Sequence, residues 1–323
     1  MQVTDSELPF ISIVTPALNC ARYIGEAVEN VLNQEYPRFE HIIMDGGSTD
    51  GTLDMLNGYP HLRVISEPDR GLYDALNKGI RLAQGDYIGW LNADDLYADG
   101  VFHDLGHKAR EMPTVELFTG DSDLFEDTPN GRRVLRTNRF YTCQELAQGQ
   151  LSGVVSLNGC FFGRELFENV GAFTTAYELV SDHEFLFRLS IYGPRCASLA
   201  RVSYHYRQHE QSLTWGRKRA DNTVSANEHL MAIACQYRSM ADAPAPLRSY
   251  SSRLYRNSAI NLIKHQATKG CFTEGVAILR AAHKQDRRFM RSLLGRALTR
   301  GPIWLSRLAL DKVRPATRSR GGR

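Results

Sequence analysis

No apolar run in this chain of 323 residues is long enough to cross a bilayer. The longest, around Pro302 to Leu310, is broken by Ser306 and Arg307, whereas a spanning helix needs roughly 20 apolar residues. The opening residues, MQVTDSELPFISIV, place no basic segment ahead of their apolar run, so a secretion signal and export are not expected. Six cysteines (Cys20, Cys143, Cys160, Cys196, Cys235 and Cys271) occur without any CxxC pair or Cys-His cluster. Reduced thiols in a cytosolic protein are therefore expected, with neither a disulfide framework nor a structural zinc site. There is no GxGxxG, no GxxxxGKS or GxxxxGKT, and no glycine in the first turn, TPALNCARY, which removes the dinucleotide and P-loop readings. Excess charge is also lacking: 39 Lys+Arg against 36 Asp+Glu leave a net +3, too balanced for a surface built to hold nucleic acid. The charge is unevenly spread, however, with net +10 over residues 284–323 and −7 before them.

What is present is an ordinary globular composition, 42% hydrophobic and 23% charged, at a length that accommodates one large or two ordinary domains. The first hundred residues alternate two hydrophobic periods. FISIVTPAL (10–18) reads as a buried strand, and Arg22 to Asn33 then places Ile24, Ala27, Val28, Val31 and Leu32 at helical spacing. The pattern repeats as FEHIIMD (39–45) with a helix from Thr49, LRVISEP (62–68) with a helix over 72–84, and DYIGWLNADD (86–95). Strands alternating with helices predict an α/β fold, a doubly wound, mostly parallel sheet with helices on both faces. Residues 115–163 predict a mixed, partly antiparallel extension built from VELFTGDSDLF and VVSLNGCFFG, followed by a helix at 181–192 and a strand at 201–207. Beyond residue 220 the patterns at 222–238, 247–268, 272–284 and 288–311 are all helical. The expected division is 1–220 as an α/β domain and 221–323 as a helical C-terminal region with a basic tail.

Ligands of such sheets collect outside the carboxyl ends of the strands. Those ends carry Thr15-Pro16, Asp45-Gly46-Gly47, Glu67-Pro68-Asp69 and Asn92-Ala93-Asp94-Asp95. Clustered carboxylates raise one another's pKa unless a cation or donor neutralises them. Oxygen-only ligands at 92–95 favour Mg²⁺ or Mn²⁺, with helix capping by Asp94 or Asp95 as the alternative. In DGGSTDGT (45–52) the glycines allow backbone to approach a ligand, and Asp45 can accept from a nucleobase imide or a ribose hydroxyl. An ordinary strand-to-helix turn explains the same residues. Asp182, in VSDHEFLFRL, reads either as a functional carboxylate or as a cap.

The stretch PFISIVTPALNCARYIGEAVENVLNQEYPRFEHIIMDGGSTDGT, followed by SEPDRGLYDALNKGIRLAQGDYIGWLNADD and NGCFFGRELFENVGAF (158–173), resembles the family 2 glycosyltransferases of the GT-A fold. The likeness covers roughly the first 210 residues and leaves the C-terminal helices outside it. It implies an inverting enzyme that uses a nucleoside-diphosphate sugar with Mn²⁺ or Mg²⁺. Thr15 and Pro16 then line the nucleotide, Asp45 contacts base or ribose, and Asp69 is a second acid on the nucleoside side. Asn92-Ala93-Asp94 stands where the family has its DxD motif, making Asp94 the metal ligand, with Asp95 beside it and Asn92 reduced to a ribose or water-mediated contact. Asp182 matches the general base, although Ser181 replaces the commoner Glu before it, and His209 lies in the region that touches diphosphate or metal.

By the same analogy the acceptor is a glycan or a lipid-linked sugar of bacterial surface polysaccharide or lipopolysaccharide. The expected place is the cytoplasm, with the basic tail at an anionic membrane surface on the inner face of the plasma membrane, or else packed as helices on the catalytic domain or a partner subunit, and no nucleic acid partner. A sugar-nucleotide pyrophosphorylase is disfavoured because TPALNCARY lacks its glycine-rich basic loop. A non-catalytic nucleotide-sugar or glycan-binding module is the remaining alternative, supported by Asn92 and Ser181 and opposed by the retained Asp45, Asp94, Asp95 and Asp182.

Overall fold

The computed structural model describes residues 7–151, 157–212, 219–291 and 293. Its first part runs β1 (Ile11–Ala17), α1 (Ile24–Leu32), β2 (Phe39–Asp45), α2 (Thr52–Leu56), β3 (Leu62–Ser66), α3 (Leu72–Leu82) and β4 (Tyr87–Trp90). Next come β5 (Leu96–Tyr97), α4 (Val101–Glu111), β6 (Leu117–Thr128), β7 (Gly131–Asn138) and α5 (Cys143–Ala147). These are followed by β8 (Phe161–Gly163), α6 (Arg164–Val170), α7 (Ser181–Tyr192) and β9 (Cys196–Arg207). The strand order is β3-β2-β1-β4-β8-β6-β9-β5, with β7 paired to β6.

The expected parallel half is β3-β2-β1-β4, each pair running in the same direction. β8 then enters antiparallel between β4 and β6, while β9 pairs with β6 in parallel. β1 is buried along its whole length, so its alternating side chains must be covered on both faces. Ile11 and Ile13 join the core cluster containing Phe102 and Leu105 of α4. On the opposite face, a Cβ on Gly79 of α3 would collide with Val14, so that glycine sets how closely α3 lies on the strand. In α1 the expected apolar face is buried except for Leu32, which is 43% exposed.

Two compact units emerge from the chain, residues 1–222 with 241–250, and residues 223–240 with 251–323. Segment 241–250 thus belongs to the first unit, not to the helical region in which the sequence reading put it. The helices after β9 are α8 (Arg219–Ser239), α9 (Ala245–Thr268) and α10 (Phe272–Gln285). The second unit has its own core of Ala234, Tyr255, Ala259, Ile260, Ile263, Ala282, Phe289 and Leu293. Phe289 and Leu293 belong to the tail assigned to a membrane surface, yet both are buried among helices. The rest of that tail, including IWLSRLALDKVR, and the VVS part of the strand expected near 154 lie outside the described residues. No helix among the described residues is long and apolar enough to cross a membrane.

One expectation about cysteine is overturned. The sulfurs of Cys143, at the start of α5, and Cys196, at the start of β9, are bonded, with their Cα atoms 5.5 Å apart. Their separation of 53 residues shows no local motif, because tertiary packing alone brings them together. Cys20, Cys160, Cys235 and Cys271 are free thiols.

Candidate active site

Ala17, Asp45 and Ser66 stand side by side across β1, β2 and β3, so the carboxyl ends of three parallel strands form one edge. Just inside it, Thr15 is buried and its hydroxyl meets His41 Nε2 at 2.9 Å. Burial, then the nearby His61, lowers the His41 pKa to about 3, so this pair is a neutral hydrogen bond beneath the edge. Pro16 follows, paired in register with Met44.

Asp45 is buried and accepts from the Gly47 amide at 3.0 Å, the Ser48 amide at 3.1 Å and the Ser66 hydroxyl at 2.7 Å. Burial opposes its ionisation, but the bonds from Ser48, Ser66 and Gly47 outweigh it and hold the carboxyl below its usual range. Asp69 accepts from the Gly71 amide at 2.8 Å. Its other carboxylate oxygen lies where a Cβ on Gly46 would sit at 2.5 Å. The missing side chain at Gly46 therefore lets the Asp69 carboxylate lie against the turn that follows β2. The loop after β1 is tied to the same turn through Asn19 N–H to Ser48 Oγ at 2.8 Å and Thr49 N–H to Asn19 Oδ1 at 2.9 Å.

The Asn92-Ala93-Asp94-Asp95 turn divides its acids. Asp95 points inward, 1% exposed, and accepts from Asn92 Nδ2 at 2.8 Å, Tyr204 Oη at 2.7 Å and the Arg207 amide at 2.7 Å. Burial, then the charge of Asp94, pushes its carboxyl well above the usual range. These bonds make Asp95, expected from the sequence among the residues that bind the nucleotide-sugar, a brace for the turn. Asn92 is engaged likewise: its Oδ1 accepts from Trp90 Nε1 at 2.9 Å while its Nδ2 donates to Asp95.

Asp94 faces outward, and its Oδ2 lies 2.7 Å from His209 Nε2. The Gln211 amide donates to His209 Nδ1 at 3.2 Å, so the ring proton is assigned to Nε2 and donated to Asp94. Tyr23 packs on the imidazole with ring centroids 4.6 Å apart. Among the described residues no group of three or more His, Cys, Asp or Glu gathers to hold a metal ion. Asp94 and His209 nevertheless fit a hard cation that takes one or two protein ligands and completes its shell with phosphate oxygens and water.

Asp182 sits in the first turn of α7, whose N-cap is Val180 and makes no side-chain cap bond. It is not the cap; its Oδ1 accepts from the His183 amide at 2.8 Å and lies 3.2 Å from His183 Nδ1. Ser181, where a Glu is commoner, donates its hydroxyl to the Thr174 and Tyr177 carbonyls and so closes the loop ahead of α7. The Asp182 amide donates to Tyr73 Oη at 3.3 Å, and the Tyr73 ring packs edge-on against Trp90 at 5.9 Å. Trp90 in turn holds Asn92. A continuous contact path thus joins Asp182 to the turn bearing Asp94.

Arg207 was not singled out from the sequence. It is 3% exposed and donates to the Asp94 carbonyl at 2.7 Å, to Glu26 at 2.6 Å and to Asp127. Its guanidinium also lies over the rings of Tyr23 and Phe125. The one available signal was its charge within an apolar strand pattern two residues before His209. The basic residues that follow Asp69 are paired: Arg70 with Asp74 at 3.4 Å, and Lys78 with Glu67 at 2.8 Å and the Pro68 carbonyl at 2.9 Å.

Comparison with known proteins places the chain in a family. The sequence profile described as Glycosyl transferase family 2 matches residues 12–171. A PGL/p-HBAD biosynthesis glycosyltransferase of Mycobacterium tuberculosis is 30% identical over 187 residues, which are 56% of this chain and 69% of that protein. A chondroitin synthase of Escherichia coli is 43% identical over 126 residues, 38% of this chain but 18% of that one. The chain belongs to glycosyltransferase family 2. Among solved structures, residues 1–349 of S. aureus TarS in complex with UDP-GlcNAc give a TM-score of 0.59 at 14% identity, covering 86% of this chain and 92% of that one. The mannosyltransferase PcManGT from Pyrobaculum calidifontis, in complex with GDP-Man and Mn²⁺, gives 0.55 at 19% identity, covering 96% and 88%. At those identities the likeness is one of fold, and the fold is GT-A.

Proposed function

We propose that this family 2 glycosyltransferase is an inverting enzyme that moves a sugar from a nucleoside-diphosphate donor to an acceptor hydroxyl in the assembly of bacterial surface polysaccharide or lipopolysaccharide. The observation that carries the reading is the contact path Asp182–Tyr73–Trp90–Asn92, which links a first-turn carboxylate that is not the N-cap of α7 to the turn bearing Asp94. Asp182 accepts the proton of the acceptor hydroxyl. As the acceptor oxygen bonds to the anomeric carbon, the bond to the donor's diphosphate breaks and its electron pair leaves with the phosphate oxygen. Asp45 and Asp69 bind the nucleoside part, with Thr15 and Pro16 forming the wall of β1. A Mn²⁺ or Mg²⁺ held by Asp94 and His209 would supply positive charge for a diphosphate leaving group. Arg207 and Asp95 keep the Asp94 turn in place.

The acceptor is proposed to be a glycan or lipid-linked sugar at the cytoplasmic face of the membrane. The basic residues in excess after 284 are proposed to attach the enzyme there through anionic headgroups.

The test is a donor screen. Purified protein is incubated with Mn²⁺ or Mg²⁺ and a panel of UDP-, GDP- and dTDP-sugars, with nucleotide release and thermal stabilisation as readouts. One nucleotide should stabilise the protein and be released on transfer; neither effect with any donor would overturn the reading.

A further inference from the structure

Asparagine is a poor residue for a helix interior, because its amide competes with the backbone for hydrogen bonds. Asn77 nevertheless stands in the middle of α3 and is 6% exposed. Its tertiary partner accounts for it. Asn77 Nδ2 donates to the Phe173 carbonyl at 2.7 Å, and the Phe173 amide donates to Asn77 Oδ1 at 3.0 Å. The side chain thus pairs with one residue of backbone as a neighbouring strand would, across 96 residues of sequence. Of the short side chains, an amide is the one that carries a donor and an acceptor on separate atoms of one plane at neutral pH.

Phe173 opens the segment that leads to Asp182. Just ahead of it, Arg188 of α7 donates to the Val170 carbonyl at 2.6 Å and the Ala172 carbonyl at 2.8 Å. The Phe173 ring packs against Phe185 of α7 at 4.4 Å, Tyr73 at 5.6 Å and Trp90 at 5.7 Å. Tyr73 and Asn77 are four residues apart on α3, so they lie on one face of the helix. At the far end of the segment the Asp182 amide donates to Tyr73 Oη. One face of α3 therefore holds residues 173–182 at both ends, Asn77 at Phe173 and Tyr73 at Asp182. The helix is itself seated on the sheet, where Gly79 lies against Val14 of β1.

A simpler role for Asn77 is to satisfy the two backbone groups of Phe173, which would be costly to bury unpaired. That role is local and would end at Phe173. The shared helix face carries it further. The bond at Tyr73 fixes one point of the segment, and the pair at Asn77 fixes a second, so the two together set where the first turn of α7 begins relative to α3. A shift at the Phe173 end is passed along a segment whose middle is already closed by the Ser181 hydroxyl on the Thr174 and Tyr177 carbonyls.

We propose, resting on the reading of Asp182 as the base, that Asn77 is a positioning residue for the transfer: through Phe173 and the segment that follows it, Asn77 holds the Asp182 carboxylate in the place where the acceptor hydroxyl is deprotonated.

The test uses the full chain with Asn77→Asp, which keeps the shape of the side chain and the bond from the Phe173 amide but, once ionised, cannot donate to the Phe173 carbonyl. Asn77→Ser, which brings in no charge, is made beside it and replaces it if the first variant does not fold. Hydrogen exchange followed by mass spectrometry should be faster over residues 172–184 and unchanged over 11–17 and 39–45, which also establishes folding. Turnover is measured with the UDP-, GDP- or dTDP-sugar that the native protein accepts, in the native protein, Asn77→Asp, Asp182→Asn and the double variant. Asn77→Asp should lower kcat about 10- to 10²-fold with donor affinity unchanged. Added to Asp182→Asn it should lower kcat no further, because it acts through that carboxylate. Unchanged exchange over 172–184, or losses that multiply in the double variant, overturn the proposal and leave the base reading standing. A near-native kcat in Asp182→Asn alone, or no turnover of any donor by the native protein, overturns the base reading and this role of Asn77 with it.

Discussion

His209 Nε2 lies 2.7 Å from Asp94 Oδ2 across 115 residues of sequence. The contact joins the end of β4 to the segment after β9, and Arg207, the last residue of β9, ties that strand to the same turn through the Asp94 carbonyl and the Asp95 carboxylate. A carboxylate and an imidazole at that distance form a hydrogen-bonded pair.

Replacing Asp94 with Ala should remove the metal dependence of nucleotide-diphosphate binding and lower turnover by at least about 10²-fold. His209→Ala should lower it less, since the carboxylate remains. Thermal shift with nucleotide, with and without Mn²⁺, together with initial rates, checks both. Full activity of the native enzyme in excess chelator would rule out the metal role.

Asp182→Asn keeps shape and a hydrogen-bonding group but cannot take a proton. It should cost about 10²- to 10⁴-fold in kcat and leave donor affinity unchanged. Donor binding and kcat measured separately distinguish this from a structural role; a near-native kcat would move the search for a base to His183 or Glu184.

Gly46→Ala should displace the Asp69 carboxylate, since the added Cβ falls 2.5 Å from its oxygen. Misplacement on the scale of an ångström costs on the order of 10²-fold. The loss should appear in donor affinity, while unfolding by urea changes little.

Arg207→Met should remove three side-chain hydrogen bonds, to the Asp94 carbonyl, Glu26 and Asp127. Because Glu26 and Asp127 can return to water, the expected destabilisation is about 2 kcal/mol, within the range for hydrogen bonds to charged groups. Urea unfolding measures it, and transfer activity should fall even under conditions where the variant remains folded.

Asp45 carries a pH signature. Its folded pKa lies below the unfolded value, so its ionised form contributes stability that is complete above the ordinary carboxylate range and is lost as pH falls through the folded pKa. The stability gap between native protein and Asp45→Asn should therefore be open at pH 7 and narrow as pH drops below about 4. Unfolding curves at both values decide it, and a gap independent of pH would remove the turn's bonds as its source.

The parallel half of the sheet and the start of α7 at Ser181 were readable from residue order, because a period of two or of 3.6 and the residues at strand ends act within a short window. So were the positions of Asp45 and Asp94 at strand ends and of Asp182 at a helix start. Which acid faces outward was not readable: Asp94 and Asp95 are adjacent and chemically alike, and only β9, delivering Tyr204 and the Arg207 amide, turns Asp95 inward. The insertion of β8 between β4 and β6, the Cys143–Cys196 bond and the buried role of Arg207 were beyond reach for the same reason. Each depends on groups separated by tens of residues, whose meeting is decided by how the whole chain packs and not by any local preference.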